Sequence, residues 1–415
     1  MKPEPMTSSP ETRSPRLLFI LNNDYGELGL AMYFLQGRNL ASTTTLLLPP
    51  RLYSKNKDTL PGKTYSYDSI DDILCTVDET EPDIVFLFSG YILPLHQIIS
   101  LEETEALVQL LSDRNCKVVT SDPFFGIFSQ LDPAEANAPE ALQLFETEII
   151  KDQPWPYRLS TTFGNMRILK QFARASHIIR NTTHLYYTRT HPDDEPIEVG
   201  TDNVTFFNPS LVRDGDTSAD TTSGNAASES ADDRHWLFIL GSVDYDLQTS
   251  FYGEERFIDI LQKKLEQTLQ AGRRPVFLAP DECVQKLRSR APVHARKDLL
   301  TFCAYEDFNA RLLNAEYVFY WNLASYSTFL RVINGLPMFM FDEGHLARHV
   351  KPMHERMVRW YYQNWTPPSL NQHEALDADA LEDLASTYKK ETDVIVKNLR
   401  ELPPPEQVIQ ELFSR

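Results

Sequence analysis

Two groups of residues in this chain combine chemistry-bearing types with positions directly after apolar runs. In the first, Asn22, Asn23 and Asp24 follow "RLLFIL", Ser89, Gly90 and Tyr91 follow "DIVFLF" with His96 a little beyond, and Ser121 and Asp122 follow "KVVT". In the second, Gly241 and Ser242 follow "HWLFIL", Pro280 and Asp281 follow "PVFLA", Asn322 to Thr328 follow "YVFYW", and Asp342 and Glu343 follow "MFMF". A carboxylate or imidazole such as Asp24 or His96 can take a proton from an attacking hydroxyl. The hydroxyls of Ser242, Ser325, Ser327 and Thr328, peptide N–H groups near Gly241 and Asn322, and the Arg331 guanidinium suit a phosphate, which the positive end of a helix dipole also favours. Asp342 and Glu343 can accept hydrogen bonds from sugar or ribose hydroxyls, and Asn22, Asn23, Tyr91 and Asp122 would line an opposing wall. The same types also have plainer uses. Ser325 or Ser327 is a good helix N-cap, Gly335 an ordinary terminator, and Pro337 a residue that cannot continue a helix.

These positions converge only if the apolar runs are parallel strands, because in an open α/β sheet the ligand crevice lies beyond the carboxyl ends of the strands. The pattern fits. "RLLFIL", "STTTLLL", "DIVFLFS", "KVVTSD", "SHIIRNT" and "VTFFNP" alternate with helical segments, and each is short and apolar enough for a strand buried on both faces. Residues 213–234, rich in Asp, Ser, Thr, Ala and Gly, contain no large apolar side chain and read as a linker. The alternation then restarts with "HWLFIL", "PVFLA", "LLTFC", "YVFYW" and "MFMF". The expected fold is therefore α/β, with two Rossmann-like doubly wound domains facing a central cleft. The expected division is a disordered lead over 1–15, an N-terminal domain over 16–212, a flexible linker over 213–235, a C-terminal domain over 236–377 and helices over 378–415. A length of 415 residues exceeds what one core usually organises.

Composition narrows the partners. Forty Lys and Arg against 59 Asp and Glu leave a net charge of -19, which argues against a general nucleic-acid or anionic-membrane surface and leaves room only for a local basic one. No apolar run is long enough to span a bilayer, and the opening "MKPEPMTSSPETRSP" lacks the pattern of a secretory signal, so a cytoplasmic protein is expected. Cys75, Cys116, Cys283 and Cys303 lie far apart and read as reduced, mostly buried thiols.

Several motifs fail on inspection. Gly62-Lys63-Thr64 ends like a P-loop, but Lys57 stands where the motif needs its first glycine. The turn "NNDYGELGLA" has Gly26 and Gly29 without a complete G-x-G-x-x-G, so no bound dinucleotide cofactor is expected. Asp244 and Asp246 form a D-x-D after an apolar strand, yet such triplets arise readily in so acidic a chain, and a divalent metal there is disfavoured. His345, His349 and His354 are interrupted by Pro352 and read as helix histidines.

The stretch "AYEDFNARLLNAEYVFYWNLASYSTFLRVINGLPMFMFDE", Ala304 to Glu343, resembles the donor-binding half of GT-B glycosyltransferases. In those enzymes a Tyr-x-x-Phe-x-x-Leu-Leu-x-x-Ala helix leads to a strand, a small-residue turn, a helix ending in Gly-x-Pro, and a strand ending in acidic or amide residues. The turn "NLASYS" departs from the glycine-rich form usual there, and the paired glutamates of retaining members are missing. The resemblance implies two Rossmann-like domains, a nucleotide-sugar held by the C-terminal one, an acceptor held by the N-terminal one, and a C-terminal helix crossing back. It implies metal-independent, inverting transfer of a sugar to an acceptor hydroxyl, with Asp24 or His96 as base and no cofactor. Two other uses of such a fold are a nucleotide-sugar epimerase or hydrolase and a non-catalytic binding protein.

Overall fold

The computed structural model describes residues 13–22, 25–96, 98–121, 155–186, 202–212, 234–301 and 303–414. Asn23, Asp24 and Asp122 fall outside them, as do the lead over 1–12 and the central polar segment over 213–233.

Strands β1 (Leu17–Ile20), β2 (Thr44–Leu48), β3 (Lys63–Ser66), β4 (Ile84–Leu87), β5 (Lys117–Ser121), β6 (Thr183–Tyr186) and β7 (Asp202–Thr205) form one sheet in the order β3-β2-β1-β4-β5-β6-β7. Every pairing in it is parallel. Strands β8 (His235–Ile239), β9 (Arg274–Leu278), β10 (Leu299–Leu300), β11 (Tyr317–Tyr320), β12 (Met338–Phe341) and β13 (Ser369–Leu370) form a second parallel sheet, ordered β10-β9-β8-β11-β12-β13. The strand order reverses between β1 and β4 in one sheet and between β8 and β11 in the other, and such switch points are where these folds open a crevice.

Continuous apolar strands suit this burial. All four residues of β1, β4, β11 and β12 are buried. Across the second sheet, in-register Phe277, Phe238, Phe319 and Phe339 stack in a row, with ring centroids 4.4, 4.6 and 5.6 Å apart. Phe19 and Phe86 pair at 4.7 Å across the first switch point.

Helices α1 (Tyr25–Leu35), α2 (Pro50–Asn56), α3 (Ile70–Thr80), α4 (Leu101–Asp113) and α5 (Trp155–Ile179) surround the first sheet. The start of α4 is set by a reciprocal cap, in which Ser100 Oγ accepts the Glu103 N–H at 3.1 Å and Glu103 accepts the Ser100 N–H at 2.6 Å. The second sheet is followed by α6 (Ser242–Tyr252), α7 (Glu254–Gln270), α8 (Asp281–Arg290), α9 (Tyr305–Asn314), α10 (Tyr326–Ile333), α11 (His345–His349) and α12 (Lys351–Tyr361), and the chain ends in α13 (Ala378–Ser386), α14 (Tyr388–Leu399) and α15 (Pro405–Ser414).

Two local expectations are corrected, and the rejected P-loop match has a structural explanation. "SHIIRNT" is not a strand: Ser176 to Ile179 complete α5, and the strand follows at Thr183. Its apolar residues are the last inward turn of a long helix, which a short window does not distinguish from a strand. The P-loop-like Gly62 has φ +90° and lies where a Cβ would come 2.7 Å from the Thr44 carbonyl, so it turns the chain into β3. Of the cysteines only Cys283 is buried, and Cys75 is exposed on α3, two residues from inward-facing Ile73 and Val77.

The two halves pack closely. Gly29 of α1 lies so near Tyr326 of α10 that a Cβ there would fall 2.4 Å from the ring. Tyr33 meets Tyr326 and Phe329 at 6.0 and 5.5 Å, the Tyr305 N–H donates to Asn56 Oδ1 at 2.8 Å, and Asn334 donates to the Leu211 carbonyl at 3.1 Å. Near the end of the chain, Arg38 binds Glu406 at 2.7 Å and the Phe207 N–H donates to the Pro403 carbonyl at 3.0 Å. Helix α15 thus lies against the first half. Because α1 and α10 both start at strand ends beside a switch point, their contact sets the two rims against each other.

Candidate functional site at the opposed strand ends

The rim of the first sheet is organised by Glu27, a residue sequence reasoning missed. It is the third residue of α1 and only 7% exposed. Its carboxylate accepts a hydrogen bond from Ser89 Oγ and another from Ser121 Oγ at 3.2 Å, while Ser121 Oγ accepts the Ser89 N–H at 2.6 Å. The loop after β4 and the last residue of β5 are thereby tied to the first turn of α1. The tie holds Ser89 in the left-handed region at φ +51°, where a residue with a Cβ is rarely found. Gly90 follows because its backbone runs against Thr120, whose Oγ1 accepts the Gly90 N–H at 3.1 Å and leaves a Cβ only 2.7 Å.

Of the residues expected on this rim, Asn22 is fully buried behind the first switch point. Tyr91 does not line a cleft. It is buried, and its phenol lies 2.6 Å from His184 Nε2, while His184 Nδ1 lies 3.0 Å from the Thr182 carbonyl. A carbonyl only accepts, so Nδ1 carries the proton and, in the neutral ring, Tyr91 donates to Nε2. His96 closes the short 3-10 turn Leu93–His96, next to a cavity of about 400 Å³ bounded by Pro94, Ile98, Ile99 and Leu101 on one side and Gln171 and Arg174 of α5 on the other.

On the second rim Gly241 is the N-cap of α6, and no described side chain caps that helix. Its first N–H groups therefore lack the usual partner, and Gly241 and Ser242 are exposed. One turn in, Asp244 is 1% exposed and accepts hydrogen bonds from the Asn322 side-chain amide and, at 2.7 Å, from the His345 N–H. Burial pushes its carboxyl up to about 6, against the pull of those two donors. Asp246 is exposed, two residues further along the helix. Residues two apart project to different sides of an α-helix, so this D-x-D does not present a paired carboxylate.

The segment from Asn322 to Arg331 is engaged mostly with itself and its neighbours. Ser325 caps α10, its Oγ accepting the Ser327 N–H at 3.3 Å and lying 2.6 Å from Ser327 Oγ. Ser327 and Thr328 are buried, and Thr328 Oγ1 meets the Ser325 carbonyl at 2.6 Å and the Tyr362 phenol at 2.7 Å. Tyr362 comes from the aromatic run "RWYYQNW", whose Trp360, Tyr361 and Tyr362 are buried. Arg331 does not reach the rim. It is 0% exposed, and its guanidinium donates to the carbonyls of Leu312 at 2.9 Å, Ala315 at 3.0 Å and Pro337, closing the end of α9 onto the turn before β12. A guanidinium so committed is a structural clamp rather than a phosphate ligand.

Asp342 and Glu343 diverge. Asp342 is exposed, accepting the Gln372 N–H at 3.2 Å, whereas Glu343 is 9% exposed and joined to Gln372 Nε2 at 2.9 Å and Arg348 at 3.3 Å. Gln372 also accepts from Trp321 Nε1 at 3.0 Å and donates to Gln248 at 2.9 Å. Gly344 next to this network approaches the Trp321 carbonyl so closely that a Cβ would lie 1.3 Å from the oxygen. The groups left facing the rim are the α6 N-terminus with Gly241 and Ser242, half-exposed Asn322 and Ser325, and Asp342.

The sequence matches no protein-family model and no curated protein. Solved structures do match. The Phytolacca americana UGT2 complexed with UDP-2fluoro-glucose and pterostilbene has a TM-score of 0.52 at 11% identity, covering 96% of this chain and 100% of that one. The glycotransferase of kitacinnamycin has a TM-score of 0.50 at 12% identity, covering 96% and 98%. This chain has the GT-B fold of such glycosyltransferases.

Proposed function

We propose that the protein transfers a sugar from a nucleotide-sugar to an acceptor hydroxyl. The observation that carries this reading is the uncapped, exposed start of α6 at the second switch point, set across from the rim of the first sheet. Free N–H groups and the helix dipole there suit a diphosphate, both when bound and as it leaves. Ser242, Asn322 and Ser325 would supplement them, and Asp342 would accept hydrogen bonds from donor hydroxyls. No step needs a metal or cofactor.

In an inverting reaction one base on the first rim takes the acceptor proton as its oxygen attacks the anomeric carbon, and the glycosidic bond to the diphosphate breaks. Asp24, three residues before Glu27, and His96, at the end of the short turn after β4, are the residues proposed for that base. Glu27 acts as a positioning residue by holding the loop after β4 and the end of β5 to α1. A non-catalytic binding protein is the second reading, favoured by the internal bonding of Ser327, Thr328 and Glu343.

Melting with nucleoside diphosphates and nucleotide-sugars tests donor binding, because a ligand at about 100 times its Kd stabilises the folded state by about 2.7 kcal/mol. No shift at millimolar concentrations with any of them sinks the transferase reading. A shift without sugar release or transfer selects the binding protein, and release with donor alone points to a hydrolase.

A further inference from the structure

The first half carries a charged surface that the proposed chemistry does not use. Between Trp155 and Ile179 the sequence has Arg158, Arg167, Lys170 and Arg174 and no Asp or Glu, in a chain whose net charge is -19. Phe163, Arg167, Lys170 and Arg174 follow one another at intervals of four, three and four residues, and therefore share one stripe of α5. All four are exposed, while Leu169, Phe172, Ala173 and Ile179 are buried. The stripe leads toward the helix start, where Trp155 is 73% exposed and Phe163 63%. Large aromatics this exposed are not part of the core, and two of them stand at the head of a row of cations.

We propose that this stripe of α5 docks the protein on an anionic bilayer surface. Trp and Phe settle at the boundary between headgroups and acyl chains, and Lys and Arg are drawn to anionic headgroups by about fivefold each near the surface. A bilayer surface offers anionic headgroups and an acyl boundary side by side, which matches cations and exposed aromatics together along one helix. The negative charge of the rest of the molecule does not forbid contact, because salt screens it beyond about 8 Å at physiological strength. Glu102, which pairs with Arg174 at 2.9 Å, and Glu103, which lines a cavity together with Arg174, are the described acids facing the stripe from the start of α4, and they leave Arg167 and Lys170 to act. No helix among the described residues is long and apolar enough to cross a membrane, and the attachment proposed is that of one exposed stripe of α5 to the bilayer surface.

The test is flotation of the full chain with phosphatidylcholine vesicles containing roughly 30% phosphatidylserine, against pure phosphatidylcholine, at about 0.1 M salt. Binding to the anionic vesicles should be at least about tenfold stronger and should be released at about 1 M salt. The double variant Arg167→Glu/Lys170→Glu should lose about tenfold or more, and Phe163→Ser should weaken binding without changing its salt dependence. The Trp155 emission, isolated as the difference between the chain and Trp155→Phe, should shift to the blue on binding. Equal binding to neutral vesicles, or no binding to either, overturns the proposal. So does retention that charge reversal leaves unchanged in a protein that still melts normally. A dimer in sedimentation that the double variant dissociates would make a second copy the occupant and also overturns it.

Discussion

The two switch points use one device with different chemistry. In each half, the third residue of the helix after the first strand is a buried acid, Glu27 in α1 and Asp244 in α6. Each acid reaches the residue two beyond the strand across the switch point, Ser89 after β4 and Asn322 after β11. Each also accepts a bond from the carboxyl end of the next strand, from Ser121 closing β5 or the His345 N–H just after β12. A carboxylate suits this place because the helix N-terminus favours negative charge. The difference lies in the donors. Two hydroxyls satisfy Glu27 and hold Ser89 in a left-handed turn, whereas an amide and a peptide N–H satisfy Asp244 and pin the turn that carries Gly344. The first tie shapes a loop through side chains, and the second depends on close main-chain packing.

That contrast can be broken most severely at Gly344. Gly344→Ala places a Cβ at bonding distance from the Trp321 carbonyl, so the turn must move and the Gln372 network with it. A loss of about 4 kcal/mol or more, seen as a collapse of the denaturant midpoint, is expected. Wild-type stability would show that the turn is soft and the contrast false.

Glu27→Ala leaves the hydroxyls of Ser89 and Ser121 buried without their acceptor and should cost about 2 to 3 kcal/mol. Glu27→Gln keeps the shape and should recover part of it. Under the proposed function, turnover in Glu27→Gln should fall without a change in the pH profile, because Glu27 positions and does not exchange the reacting proton. A displaced profile would make it the base.

The carboxyl of Asp244 titrates higher in the folded protein than in the unfolded chain, where it lies near 4, so the native state binds more protons between about pH 4 and pH 6. Its contribution to stability is therefore most favourable below pH 4 and falls as pH rises through 6, by on the order of 3 kcal/mol. Asp244→Asn should flatten that part of the stability profile. An unchanged slope would remove the electrostatic half of the comparison.

The smallest effect is expected from Ser325→Ala. Loss of the N-cap of α10 should cost about 1 kcal/mol. If Ser325 only caps, donor affinity stays; a drop of about tenfold or more would show that its half-exposed hydroxyl also meets the diphosphate.

The architecture was legible because fully buried parallel strands must be apolar throughout, and "RLLFIL", "DIVFLF", "YVFYW" and "MFMF" are. The ends of those runs marked both rims. Less legible was the use of each rim residue. Arg331, Ser327, Thr328 and Tyr91 have types that serve a ligand as readily as a neighbouring carbonyl or hydroxyl, and only their burial separates the two. Glu27 gave little signal because one acid in the first turn of a helix is ordinary. Two further signals lie in the sequence: Gly344 directly after the strand-end acids Asp342 and Glu343, which hints at close backbone approach, and the long acid-free basic stretch from Trp155 to Ile179.

By itself, the sequence determined the alternation of short apolar strands and helices, the restart after residue 234, and the stops and caps of α10, all set by local periodicity and backbone preference. Tertiary structure decided which side chains were left for chemistry. Partners distant in sequence, such as Glu27 with Ser89 and Ser121 or Arg331 with the carbonyls around α9, are created only when strands separated in the chain become neighbours in a sheet. A polar group's free valences are then whatever that packing has not already satisfied.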